Sequence, residues 1–217
     1  MLAGAYGLTH WLELSAQVPV LLRQQGDDLT ESGIGRPAKG LALGTPYVGL
    51  RLGILSQGDD NEGLDLALGV SAGLPVGSAE ALARESSLSA KPSIMVGRSF
   101  GMLRAAVDAG VALKPSTTLT NDDSGLTFET GNELHLGAAL STTGEVLRGE
   151  LNIIAQTPLR SGSSYGTSIE ALAGARLQLS DSIEVYALAG VGFGVGISLL
   201  GTPTFRGLLG MAFGSMQ

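Results

Sequence analysis

Apolar residues recur at every second position along most of this chain, and the residues between them are small or charged. A period of two sends successive side chains to opposite faces of an extended strand, so the pattern commits the chain to β-sheet. From Ile169 to Leu179 one face reads Ile169, Ala171, Ala173, Ala175, Leu177 and Leu179, and the other Ser168, Glu170, Leu172, Gly174, Arg176 and Gln178. From Leu103 to Leu113 one face is Leu103, Ala105, Val107, Ala109, Val111 and Leu113, while its complement carries Arg104, Asp108, Gly110 and, just beyond, Lys114. The same split recurs in Leu12–Arg23, Leu64–Val76, Leu126–Leu140, Leu147–Gln156 and Ile183–Ile197.

Two kinds of β-protein alternate in this way. A soluble sandwich buries its apolar face and turns Lys, Glu, Thr and Ser to water. Here charged residues are only 15% of the chain, against about 25% in an ordinary soluble domain. The second face is mostly Gly, Ala and Ser, punctuated by Glu13, Arg51, Asp65, Arg104, Asp108, Glu129, Glu133, His135, Arg148, Glu150, Glu170, Arg176, Glu184 and Arg206. An apolar face without charges, backed by a small and sparsely charged one, is the wall of a transmembrane antiparallel up-and-down β-barrel, with those fourteen residues lining its lumen. Small residues opposite large charged ones let such a lumen fill without clashes.

A helical membrane span is the rival reading. Residues 185–205 are uncharged and long enough, since about 20 residues cross as a helix. Yet Gly190, Gly192, Gly194 and Gly196 alternate strictly with Val191, Phe193, Val195 and Ile197. Each glycine costs a helix about 1 kcal/mol against alanine, and a helix gains nothing from period two. The stretch reads as a strand.

Ten complete strands are expected, at about 11–24, 45–56, 63–77, 91–100, 102–115, 125–140, 145–159, 167–179, 182–198 and 203–214. Most reach the 9–11 residues that a tilted strand needs to cross. Short turns at 58–63, 99–102, 141–145 and 180–182 alternate with longer links at 25–44, 78–90, 115–125, 160–166 and 199–203. Bacterial barrels keep short turns periplasmic and long loops outside, which expects the C-terminus in the periplasm of a Gram-negative cell. Pro19, Pro75, Pro115 and Pro158 each fall near the outer end of an ascending strand, where the missing ladder donor does least harm. Residues 1–10 read as the lower half of a descending strand and its turn, within one barrel domain over 1–217. Two arrangements stay open: ten strands close with the N-terminus as a plug or tail, or twelve close with the first one and a half lost. Met1–Leu22 lacks the basic start of a signal peptide and is interrupted by His10 and Glu13, so the chain reads as mature or truncated ahead of Met1.

The segment Leu2-Ala-Gly-Ala-Tyr-Gly-Leu-Thr-His-Trp-Leu-Glu-Leu14, followed by Val18-Pro19-Val20, resembles the opening hairpin of OmpA-family barrels. Thr130-Gly-Asn-Glu-Leu134 and Thr202-Pro-Thr-Phe-Arg-Gly-Leu-Leu-Gly210 are similar to later strands of those barrels. The resemblance implies an integral outer-membrane barrel. The family's periplasmic peptidoglycan-binding domain has no counterpart here, so no cell-wall tether is carried over. Aromatics are sparse at 5%; Trp11, Phe100 and Phe213 are expected at the inner rim, and Tyr47, Phe128, Tyr165 and Phe205 at the outer.

Several chemistries are excluded or disfavoured. There is no cysteine for a thiol nucleophile, disulfide or thiolate metal site. A net charge of −7 offers no basic face for nucleic acid. No P-loop, dinucleotide fingerprint or zinc-protease motif occurs. Asp59-Asp60-Asn61-Glu62-Gly63 and Asn121-Asp122-Asp123-Ser124-Gly125 concentrate oxygen ligands but lack the EF-hand spacing, and read as turns rather than calcium loops. His10 falls in a turn. His135 shares a face with Glu133 and Glu129, but in the lower half of the strand expected at 125–140, away from the rim where barrel hydrolases work. The expectation is therefore a non-enzymatic barrel without cofactor or metal, structural or weakly permeable, whose partners are outer-membrane lipid and small solutes or ions. A cation-leaning channel, a lumen-rim hydrolase and a soluble adhesin-like sandwich are the alternatives. The carboxylates Glu129, Glu133, Glu150, Glu170 and Glu184 are expected to pair with Arg148, Arg176 and Arg206.

Overall fold

A computed structural model describes residues 2–21, 40–57, 63–78, 85–121, 126–159, 166–181, 183–195 and 205–213. Fifteen strands occur among them. In chain order they are β1 (Leu2–Gly7), β2 (Leu12–Val18), β3 (Val20–Leu21), β4 (Ala42–Leu43), β5 (Tyr47–Leu55), β6 (Asp65–Gly73), β7 (Ser89–Phe100) and β8 (Leu103–Ala112). Then follow β9 (Thr117–Asn121), β10 (Leu126–Thr130), β11 (Glu133–Thr142), β12 (Leu147–Pro158), β13 (Thr167–Ser180), β14 (Ile183–Val195) and β15 (Arg206–Phe213).

Eleven of these form one sheet in the order β1-β2-β5-β6-β7-β8-β11-β12-β13-β14-β15. Every neighbouring pair is antiparallel. The expected ten strands and the partial N-terminal one are all present in this meander. Of residues 185–205, which the helical reading claims, 185–195 are strand, and no helix among the described residues is long and apolar enough to cross a membrane.

The structure corrects the sequence reading in three places. First, no pairing among the described residues closes the sheet: β1 and β15 are its two edges. Second, Pro19 ends β2, and the following Val20–Leu21 pairs instead with Ala42–Leu43 in a separate two-stranded ribbon. Proline has no N–H to continue the ladder, so the wall stops there. Third, the strand expected at 125–140 breaks at Gly131–Asn132. Its first part, β10, pairs with β9 as a hairpin outside the main sheet, and only β11 lies in the wall.

One end of the meander gathers the tight turns. Gly101 turns β7 into β8 with φ +56°, a left-handed conformation that glycine adopts without Cβ strain. Both register shifts, at Gly53/Leu55 and at Gln178/Ser180, also lie at this end, where bulges commonly terminate pairing. The opposite end carries the long links and both accessory hairpins. Pro19, Pro75 and Pro115 follow β2, β6 and β8 there, and Pro158 is the last residue of β12, so the four prolines share one level as expected.

The sheet's faces are inverted relative to a soluble protein. Buried apolar residues among the described ones are few and mostly small: Ala42, Ala67, Ala112, Leu172 and Leu188. The large apolar side chains stand exposed on the outward face, including Leu50, Val70, Ile94, Leu136, Ile153 and Val191. Glu170 and Glu184 on the inward face are only 7% and 3% exposed.

Candidate functional site

The register explains how the inward face accommodates charge. Arg51 stands opposite Gly69, Asp65 opposite Gly97, Asp108 opposite Gly137, Glu150 opposite Gly174, Glu170 opposite Gly192 and Arg206 opposite Gly190. His135 faces Gly110 on one side, and Tyr186 faces Gly210. The facing side chain itself occupies the space of the missing Cβ at Gly137 (Asp108) and Gly210 (Tyr186), and approaches it at Gly97 (Asp65). The case is tightest at Gly137, where an added Cβ would overlap the Asp108 carboxylate. Gly137→Val is expected to destabilise the protein by about 1–3 kcal/mol through overpacking. Urea titration of the folded protein in detergent checks this, and Asp108→Ala in the same chain is expected to restore most of the loss.

Thirteen of the fourteen residues predicted for the inner face lie on strands of the main sheet. The exception is Glu129, which sits on β10 in the accessory hairpin, opposite Thr118. The strand breaks at Gly131, although the alternation that had placed Glu129 in the wall runs on through it.

Ion pairs join most of the thirteen. On β12–β15 a compact knot forms. Arg148 and Arg176 are direct cross-strand partners, a like-charge pair that is unfavourable by itself. Glu184 contacts both guanidinium groups, with Arg176 Nη1 donating to its Oε1 at 3.0 Å, and Arg176 also pairs with Glu150. The Arg176 guanidinium lies 5.1 Å from the Tyr186 ring centre. Beside the knot, Arg206 Nε lies 2.9 Å from Glu170 Oε1.

On β2–β8 the pairs are wetter. Arg104 Nη2 donates to Asp65 Oδ2 at 2.9 Å, and Arg51 Nη1 lies 4.0 Å from Glu13 Oε2. The two arginine side chains are about half exposed, at 54% and 49%. Gln57 closes this region at the short-turn end. Its backbone N–H donates to Asp65 Oδ1 at 2.8 Å, and its side chain exchanges hydrogen bonds with the Ser99 backbone at 2.7 and 3.2 Å. A cavity of about 560 Å³ opens here, lined among others by Glu13, Arg51, Asp65, Arg104 and Asp108.

A third cluster lies at the long-link end. Lys114 Nζ donates to Glu133 Oε2 at 2.9 Å, and His135 Nε2 lies 3.5 Å from the same oxygen. Because β11 starts at Glu133, His135 is its third residue. It therefore sits towards the long-link end, not in the lower half of a longer strand. Tyr47 points inward as well: its hydroxyl donates to Glu85 Oε1 at 2.6 Å, and Lys91 Nζ lies 4.0 Å over its ring. Tyr47 thus stands at the long-link end, the level expected for it, but on the charged face rather than the apolar one. Its partner Glu85 lies in a link, where alternation gives no guidance. Gly73 leaves the space these groups share, since a Cβ there would press on Ser89 Oγ, the Tyr47 ring and Glu85. Lys91 was missed as an inner-face residue, although the alternation of Ser89, Lys91, Ser93 and Met95 on β7 marks it; Lys114 was read on the charged face of its strand but left out of the lumen-lining set.

The remaining expectations are placed as follows. His10 is exposed in the turn between β1 and β2. Trp11, Phe100 and Phe213 are exposed at the short-turn end, as expected for one rim, and Phe205 is exposed next to β15 at the other. Tyr165, most of both acidic turns and the side chains of Phe128 and Glu129 lie outside the described residues. No group of three or more metal-binding side chains occurs among the described residues. Compared with known proteins, the chain matches no family model and no curated protein.

Proposed function

We propose that this protein is an integral β-barrel of the Gram-negative outer membrane, of the kind the OmpA-like segments suggest, with a scaffold or weakly permeable role and no enzymatic one. The observation that carries the reading is the inverted sheet: exposed large apolar residues on one face, and ion-paired, partly buried charges on the other. In water this arrangement wastes the hydrophobic effect, because burial of apolar surface contributes roughly 25 cal/mol per Å² and here the largest side chains forgo it. In a bilayer the same face meets hydrocarbon, and the charges stay inside. In this reading the short turns face the periplasm.

The test is refolding. The chain is expected to fold in detergent micelles or lipid vesicles and to aggregate in plain buffer; a folded monomer in plain buffer would contradict the proposal.

A cation-leaning path is the second reading, favoured by one observation. The cavity beside β2–β8 presents the carboxylates of Glu13, Asp65 and Asp108 against the guanidinium groups of Arg51 and Arg104, whereas the knot lies on β12–β15. A surplus of fixed negative charge favours cations. Planar-bilayer recordings are expected to show small cation-favouring steps whose selectivity falls in Asp108→Asn and persists in Glu133→Gln. A silent bilayer with folding confirmed leaves the scaffold role alone.

A further inference from the structure

The charges of the main sheet divide unevenly between its two faces. Every Asp, Glu, Lys and Arg on its eleven strands holds an inward position except Arg98. Asp65 faces Gly97 on the inward side, so the next residue, Arg98, points outward, opposite Ala105 of β8. Arg98 is exposed, and its outward neighbours Phe100, Leu103 and Val107 are exposed and apolar. No carboxylate among the described residues pairs with it. Its one contact there is the Phe100 ring, whose centre lies 5.0 Å from the guanidinium, within range of a cation–π attraction.

Height matters as much as direction. β7 ends two residues after Arg98, at Phe100, in the short-turn rim where Trp11 and Phe213 are also exposed. At about 3.3 Å per residue that is roughly 7 Å along a tilted strand. A long cationic side chain covers such a distance by laying its stem over apolar surface and setting its charge in the interface. Towards the other end of β7, Ala90, Pro92, Ile94 and Val96 continue the outward row without a charge. Arginine is costly on the lipid face at the bilayer midplane and nearly free at the interface, so this is the level a lipid-facing arginine can hold. The anion that lipid presents there is phosphate, and the guanidinium fork matches phosphate oxygens two at a time.

We propose that Arg98, braced by Phe100, holds the headgroup phosphate of an anionic glycerophospholipid in the leaflet at the short-turn rim. The inference rests on the membrane reading above. The acyl chains of that lipid lie along the outward row of Val96, Leu103 and Val107, and its phosphate meets the guanidinium where the row ends. An anionic headgroup is preferred to a zwitterionic one, whose own ammonium competes with Arg98 for the phosphate. The rival partner is this chain's own acidic run Asp59-Asp60-Asn61-Glu62, which the sequence places between β5 and β6.

The test reads which lipid gathers beside Arg98. In a Trp11→Phe background, a single tryptophan is introduced by Met102→Trp, in the turn after Phe100, or by Val146→Trp, at the short-turn end beside β12. Each protein is refolded in phosphatidylcholine vesicles containing a minor fraction of phosphatidylglycerol, with bromine on the acyl chains of one lipid or the other. Brominated phosphatidylglycerol is expected to be enriched about fivefold around position 102, the factor one cation near an anionic membrane surface supplies. No enrichment is expected at position 146, and Arg98→Gln is expected to abolish it at 102. Equal quenching at 102 with and without Arg98→Gln would overturn the proposal. So would loss of the enrichment to inorganic phosphate but not to chloride at equal ionic strength, which would make the occupant free phosphate. Enrichment that arises only after Asp59→Asn, Asp60→Asn and Glu62→Gln would overturn it too, assigning Arg98 to the chain's own acidic run. If bromine quenches tryptophan at neither 102 nor 153, the membrane reading fails instead, and the two failures are distinct.

Discussion

Ile153→Arg is expected to destabilise the protein in vesicles by about 2–4 kcal/mol, the cost of Arg or Lys on the lipid face near the bilayer midplane. Ile153 lies midway along β12 with its side chain on the outward face, 43% exposed. On a soluble sheet, a charge at so accessible a position would change stability by about 0.5 kcal/mol or less. The size of the effect therefore separates the two environments. Val146 supplies the control: it is exposed beside the short-turn end of the same strand. Val146→Arg is expected to cost about 0–1 kcal/mol, as near the interface. Equilibrium urea unfolding in vesicles reads both, and equal small effects would contradict the lipid-facing assignment.

Glu184→Met is expected to cost about 3 kcal/mol, the low end of the range for breaking a buried pair. The Glu184 side chain is 4% exposed and contacts both Arg148 and Arg176, which are cross-strand partners about a third exposed. Removing it leaves two cations side by side, with Glu150 engaging Arg176. Adding Arg148→Met removes the stranded cation, so the double variant is expected to recover more than half of the loss. That recovery would show the knot matching charge rather than adding net stability, since buried pairs replaced whole by apolar residues are often neutral. Urea unfolding of the single and double variants checks this; additive losses would mean the knot does not act as a unit.

Much of the wall was legible because a strand's two faces are fixed by parity alone. Glu170, Arg176 and Glu184 share parity with glycines that stand opposite charged or bulky partners, and the structure places all three inside. Their pairing followed from sign and proximity. What parity cannot show is where a strand leaves the wall. Val20–Leu21 and Leu126–Thr130 continue the alternation, yet Pro19 and Gly131 mark the points where their backbones pair elsewhere. Glu129 was misplaced for that reason, and the position of His135 was misjudged with it. Contacts made from links, such as Glu85 on Tyr47, leave no periodic trace at all. Closure was illegible as well, because what pairs with each edge of a sheet leaves no mark in the alternation of its strands.

The central claim is that alternate residues face lipid. The chain has one tryptophan, Trp11, so a Trp11→Phe background allows single tryptophans at positions 151, 152, 153 and 154 of β12. Their fluorescence would be read in vesicles of lipids brominated near the middle of the acyl chain. Strong quenching at 151 and 153 with weak quenching at 152 and 154 is predicted. Uniform quenching along the four positions, or none, would contradict a sheet that turns its apolar face to the bilayer.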